Sequence, residues 1–209
     1  FAHAQGFTAL QFPGKEAGLD ATHLGDPLTT VAAELAAKHI TAVMEIVVHV
    51  DANGRTAAGS TPLDILHANL PAITALPCRY VHWHLVAAHV MDATTNQALE
   101  AAMLPQMKAA VALAEIHNFR FGFEHNEPEL LLFGTPTACG ATLDAVPSLG
   151  FVWDLNHTIP EHLADFQALI PRMSMLHVSD TPLPTVNYHL PLGMGTIDFR
   201  AYCQALRTG

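Results

Sequence analysis

Residues 119–177 read FRFGFEHNEPELLLFGTPTACGATLDAVPSLGFVWDLNHTIPEHLADFQALIPRMSMLH. Three β-rich runs punctuate this stretch: Phe119–Glu124 (FRFGFE), Phe151–Asp154 (FVWD) and Ser174–His177 (SMLH). Segments of helical character, Pro136–Val146 and Pro160–Ile170, separate them. The interiors of the runs are apolar instead of alternating, as in strands covered by helices on the sheet face. Strands that alternate regularly with helices imply parallel pairing through helical crossovers. Each of the three runs also ends on a carboxylate or an imidazole.

The same rhythm extends toward the amino terminus. Phe7–Phe12 (FTALQF), Thr41–Val50 (TAVMEIVVHV) and Arg79–Val86 read as three earlier strands. Helices are expected near Leu28–His39, Pro62–Leu76 and Asn96–His117, and a last one over Ile197–Arg207. Thr61 is placed to cap the second of these, with Asp64 in its first turn. No glycine-rich phosphate fingerprint opens any helix, which disfavours a dinucleotide-binding sheet. Doubly wound and barrel sheets both fit this order, so the expected fold is α/β in a single domain over residues 1–209, and a (β/α)₈ barrel, the architecture that the resemblance described below implies, would lack its first and last strands in this sequence. Six strands would leave two unpaired edges, so the expectation is a chain that continues at both ends or a partner that fills the gap.

Composition narrows the function. Nineteen acidic residues against nine Lys plus Arg give a formal charge of −10, with no basic cluster, so binding to nucleic acid is not expected. Glu45, His49, His82 and His84 interrupt the most apolar stretches, so no membrane span is expected either. Cys78, Cys139 and Cys203 lack zinc-ligand spacing, and their odd number argues against a disulfide framework. With no export signal visible, these features suggest a cytoplasmic setting.

In a parallel barrel, side chains at the carboxyl ends of the strands converge on the face where substrates bind. His49, His84, Glu124, Asp154 and His177 stand at or near five consecutive strand ends. Carboxylates and imidazoles together suit one divalent ion of intermediate hardness, Mn²⁺, Mg²⁺, Co²⁺ or Zn²⁺. His82 shares the side-chain direction of His84, and alternation alone does not choose between them. Trp83 and Trp153 read as packing residues, Asp180 as an organiser of the loop after it, and Gly193 and Gly195 as turn residues.

The segments FGFEHN (121–126), FVWDLNHT (151–158), MLHVSD (175–180) and NYHLPLGMGTIDF (187–199), in this order and spacing, resemble the xylose-isomerase-like barrel superfamily. That group includes sugar epimerases, hydroxypyruvate isomerase, inosose dehydratase and endonuclease IV. The motif resemblance covers about Phe119–Phe199, and the strand–helix order extends it over the whole chain. It implies a metal-dependent isomerase or epimerase of a small sugar or hydroxycarbonyl compound, working by proton abstraction beside a carbonyl through an enediolate. Glu124 resembles the ligand that is also an acid/base, Asp154 the second metal ligand and His177 the third. His157 resembles the histidine that contacts substrate oxygen, and His189, His49 and His84 complete the expected substrate side. The family's fourth ligand, a glutamate on the final strand, has no counterpart, because the sequence stops at Gly209. A dehydratase or lyase is a close chemical variant, and the family leaves room for a homo-oligomer. Two alternatives stand beside this reading: an endonuclease IV-like multi-zinc phosphodiesterase, and a barrel that binds sugar without turnover. Asn187 weighs against the first, since endonuclease IV carries an aspartate there.

Overall fold

The computed structural model describes residues 1–208, without the side chains of Glu129 and Thr208; Gly209, which follows the last expected helix as a candidate stop, lies outside the described residues. Six strands form one sheet: β1 (Ala9–Pro13), β2 (Thr41–Val50), β3 (Tyr80–Ala87), β4 (Arg120–Glu124), β5 (Gly150–Asp154) and β6 (Met173–His177). Their spatial order is β1-β2-β3-β4-β5-β6, and every pair is parallel. The helices α1 (Ala21–Leu24), α2 (Leu28–Ala37), α3 (Pro62–Ala75), α4 (Ala93–His117), α5 (Pro136–Ala145), α6 (Leu163–Gln167) and α7 (Phe199–Thr208) complete the chain. Sequential parallel order with helical crossovers is the barrel pattern. The sheet curls far enough for Gln11 on β1 to hydrogen-bond His177 on β6 at 3.1 Å.

Local signals explain most element boundaries. Thr61 Oγ1 accepts from Asp64 N at 3.2 Å while Thr61 N donates to Asp64 Oδ2 at 2.8 Å, a capping box that starts α3. Asp92 caps α4, accepting from Thr95 N at 2.9 Å, so the helix begins at Ala93, three residues before the expected start. That helix ends on Asn118 at φ 59, a left-handed cap that asparagine tolerates. The segment expected as one helix over Pro160–Ile170 is instead a 3₁₀ turn (Pro160–His162), the short α6 and a second 3₁₀ turn (Ile170–Arg172). Pro160 and Pro171 each open a 3₁₀ turn, where a missing N–H costs nothing.

The two faces of the sheet do different work. Val81, Trp83 and Leu85 on β3, Phe121 and Phe123 on β4, and Phe151 and Trp153 on β5 are buried beneath the helices. Trp83 packs edge-on to Phe121, with ring centroids 4.7 Å apart, and Trp153 lies against Phe166 and Tyr202. The alternate residues point inward, where Tyr80 forms the floor. A Cβ on Gly122 would lie 2.7 Å from Gly150 O and clash with the Tyr80 hydroxyl. One on Gly150 would lie 2.8 Å from that hydroxyl. Both strands carry glycine where the tyrosine crosses them. Above this floor the inward residues become polar: Glu45, His82, His84, Glu124, Asp154 and His177.

Candidate metal centre and substrate pocket

A cavity of about 500 Å³ opens at the carboxyl ends of the strands. Glu124, Asp154, His177, His157, His189 and His84 all line it, and Gln11, Glu45, Glu127 and Asn187 join them. Six of the seven residues expected from sequence thus share one space. His49 does not, and here the structure corrects the expectation. Strand β2 is ten residues long, whereas β4, β5 and β6 have five each. His49 lies four residues beyond Glu45, roughly 13 Å further along an extended strand, and is exposed. Glu45 supplies the inward group of β2 at the height of the cavity.

Glu124 is the hub. Its carboxylate is 1% exposed, and its Oε1 lies 2.9 Å from His177 Nδ1. Among the described residues its Oε2 has no hydrogen-bond partner, with His82 Nε2 at 3.4 Å and His84 Nδ1 at 3.7 Å. Burial favours the neutral acid, but the hydrogen bond and charge of His177 and the charge of His84 outweigh it and hold the carboxyl far below the ordinary range. Burial likewise opposes charge on His177, and Glu124 overcomes it, so that the imidazole is raised. His84 is lifted to about 9 in the same way, against its own burial, by Glu45 at 3.4 Å and by Glu124. His82, fully buried with neither ring nitrogen partnered, is lowered because desolvation prevails.

Asp154 ends β5 on the opposite wall. Its Oδ1 accepts from Asn156 N at 2.7 Å, and its Oδ2 lies 3.7 Å from His157 Nε2. Burial pushes this carboxyl up. His125 fixes the strand end from behind: its Nε2 lies 3.0 Å from Asp154 O and 3.2 Å from Asp154 N, and its Nδ1 lies 3.0 Å from Asn126 O. Fully enclosed, that imidazole is lowered to about 3, chiefly by desolvation. His157 is turned by a contact of 3.1 Å from its Nδ1 to His125 O, which leaves Nε2 toward the cavity. Asn126 ties the far side together, donating to Leu85 O and Leu132 O at 2.7 Å each, with its Oδ1 2.9 Å from His84 Nε2.

The loop 178–197 covers one flank. Asp180 organises it as expected, accepting from Thr181 N at 2.9 Å, Gly193 N at 2.8 Å and Ile197 N at 3.2 Å. Asn156 Oδ1 receives Tyr188 N and His189 N at 3.1 and 3.2 Å, which sets His189 at the rim. Asn187 Nδ2 donates to Glu127 Oε1 at 2.9 Å.

Two groups bring one ligand atom from each of three side chains within 4.8 Å of one another: His82–Glu124–His177 and His84–Glu124–His157. Among the described residues, neither group includes Asp154, although it faces the same cavity. Sequence reasoning left His82 undecided and missed Glu45, Gln11, Glu127 and Asn126. For Glu45 a signal existed: a lone carboxylate within a strand of Val, Ile and Met must face the interior with a polar partner.

Comparison with known proteins gives the following. A family model described as xylose isomerase-like TIM barrel matches residues 1–209. No curated protein matches the sequence significantly. Among solved structures, an L-ribulose 3-epimerase superposes with a TM-score of 0.74 at 18% identity, covering 99% of this chain and 70% of its own. The IOLI protein, solved with a zinc atom bound, gives 0.77 at 17% identity, covering 99% and 77%. A probable 3-DHS dehydratase, AsbF of Bacillus anthracis, gives 0.70 at 17% identity, covering 99% and 81%. At such identities the likeness establishes the fold alone.

Proposed function

From the premise that this chain belongs to the xylose isomerase-like TIM barrel family, we propose that it isomerises or epimerises a small sugar or hydroxycarbonyl compound with the help of one divalent metal ion. The observation that carries this reading is the arrangement around Glu124. A buried carboxylate whose Oε1 lies 2.9 Å from His177 Nδ1 and whose Oε2 has no hydrogen-bond partner among the described residues, with Asp154 lining the same cavity, is a donor set suited to a cation. Glu124, Asp154 and His177 would hold the ion, which could be Mn²⁺, Mg²⁺, Co²⁺ or Zn²⁺. Such an ion polarises a carbonyl and fixes the hydroxyl beside it. The solved structures of similar fold include sugar epimerases, the IOLI protein with a bound zinc atom and a probable dehydratase, which supports the same chemistry here.

The chain's own residues account for proton handling and orientation. Glu124 is ionised and takes the proton from the carbon beside the carbonyl, leaving an enediolate. Return of that proton by Glu124 to the neighbouring carbon gives an isomer; an epimer needs a proton from a second acid on the opposite face, the role of the family's final-strand glutamate, which has no counterpart among the 209 residues. His157 and His189, at the rim, and His84, on the wall, hydrogen-bond the substrate hydroxyls. Leu130, Leu176 and Val86 line the remaining wall and limit water. The reading is tested with a panel of ketoses, hydroxypyruvate and inosose, assayed with each metal and after chelation. Turnover that depends on metal and disappears in Glu124→Gln supports it. Chelated protein that turns over as fast as metal-loaded protein refutes it.

A second reading has one observation in its favour. His84, Glu124 and His157 form a second three-ligand cluster that shares Glu124 with the first, and a shared carboxylate suits a multi-zinc phosphodiesterase. Against it, Asn187 commits its amide to Glu127. Metal stoichiometry separates the two: one ion per chain for the isomerase, three zinc ions for the phosphodiesterase.

A further inference from the structure

Gln11 lies on β1, exposed, with no packing duty, yet it bridges two inward groups of the sheet. Its Nε2 donates to Glu45 Oε2 at 2.7 Å, and its Oε1 lies 3.1 Å from His177 Nε2. The direction of this bridge is forced. A carboxylate only accepts, so Glu45 must face the amide NH₂, which leaves the amide oxygen for His177. An amide oxygen only accepts, so His177 Nε2 must carry a proton. The remaining nitrogen, Nδ1, then faces Glu124 Oε1 at 2.9 Å. A lone pair against a carboxylate oxygen at that distance is repulsive unless a positive charge lies between them.

We infer that Glu45 and Gln11 are positioning residues that fix the tautomer of His177, holding Nε2 as the donor so that Nδ1 is the atom presented to a metal ion beside Glu124. The inference rests on the metal reading above and adds to it two residues of the cavity wall that act through His177. Its physical basis is general. A ligating histidine is oriented, and its basicity raised, by an acceptor on its other nitrogen. Here the acceptor is a neutral amide that could turn either way, and Glu45 decides which way it turns. Glu45 also contacts His84 Nδ1 at 3.4 Å, so one carboxylate orients groups on both sides of Glu124.

The test uses Zn²⁺ as the probe on the whole chain, with affinity measured by competition against a chromogenic chelator and the tautomer by ¹⁵N NMR of the imidazole. Gln11→Leu removes the acceptor and should weaken zinc binding roughly 10- to 100-fold. Melting temperatures of the metal-free variants should match wild type, because the Gln11 side chain is exposed. In zinc-loaded wild type, His177 should be protonated at Nε2 and bound through Nδ1. Gln11→Leu that binds zinc like wild type, while His177→Ala does not, overturns the inference and leaves the metal site standing. So does a zinc-loaded His177 protonated at Nδ1. Wild type that binds no zinc, or that loses nothing in both Glu124→Gln and His177→Ala, overturns the metal reading and the inference with it.

Discussion

Asn126 is the side chain whose loss should be felt most widely. It is fully buried, donates two hydrogen bonds of 2.7 Å to Leu85 O on β3 and Leu132 O in the following loop, and presents Oδ1 to His84 Nε2 at 2.9 Å. Asn126→Ala removes all three contacts and leaves two buried carbonyls unpaired. At about 1 kcal/mol for each hydrogen bond, with the unpaired acceptors adding to this, the variant should lose at least roughly 3 kcal/mol. For a chain of this size each kcal/mol lowers the melting temperature by about 2–4 °C, so the expected fall is about 6–12 °C or more by calorimetry. A functional effect should accompany it, because His84 loses the partner that aims its ring into the cavity. Turnover and KM of whatever substrate the panel identifies should therefore worsen even well below the variant's melting temperature. Asn126→Asp separates the two effects: it keeps the acceptor toward His84 but turns both carbonyl contacts repulsive, so stability should fall while His84 stays held. A melting temperature within about 2 °C of wild type for Asn126→Ala would refute the reasoning, since it would mean that water or a shifted loop replaces all three bonds at no cost.

Three further outcomes follow from burial and close approach. Since folding lowers the His125 pKa to about 3, the unfolded chain binds a proton there below about pH 6.5 that the folded chain refuses. Stability should therefore fall with pH from about 6.5 downward, by up to about 1.4 kcal/mol per unit for this group. Denaturant titrations of His125→Gln, whose amide can reproduce both contacts, should show a shallower slope, and an unchanged slope would show that His125 does not carry the effect. Gly122→Ala places a methyl against Tyr80 and Gly150 O and should cost about 1–3 kcal/mol by denaturant unfolding; wild-type stability would show that the tyrosine is free to move. Burial pushes the Cys78 thiol up to about 12 and Cys139 higher than its ordinary range, while Cys203 is exposed. A disulfide reagent at neutral pH should thus titrate one thiol in the folded protein and three in denaturant.

The sequence is legible where a side chain's surroundings follow from its own strand. The six apolar runs became the six strands, within about two residues at their ends. Trp83 and Trp153 were readable as packing residues because they alternate with the polar positions of β3 and β5. Glu124, Asp154 and His177 stand at the ends of short strands, where the end of the strand and the rim of the cavity coincide. What the sequence does not encode is height along the barrel. Strands in a curled parallel sheet are tilted and staggered, and β2 continues for five residues above Glu45. The rule that active groups sit at strand ends therefore selected His49 and passed over Glu45. The same ambiguity joined His82 to His84, two residues apart and pointing the same way. The lower one is sealed beneath Glu124 with both nitrogens unpartnered, whereas the upper one opens to the cavity between two carboxylates. Gln11 was invisible for a different reason, since an exposed glutamine near the start of a chain carries no signal of its own. Its meaning arises only when curling brings β1 to face β6, 166 residues away. A carboxylate within an otherwise apolar strand is the better pointer in such sheets, because it meets a donor wherever the strand happens to end. By that criterion Glu45 marks the height of the site as directly as Glu124 does.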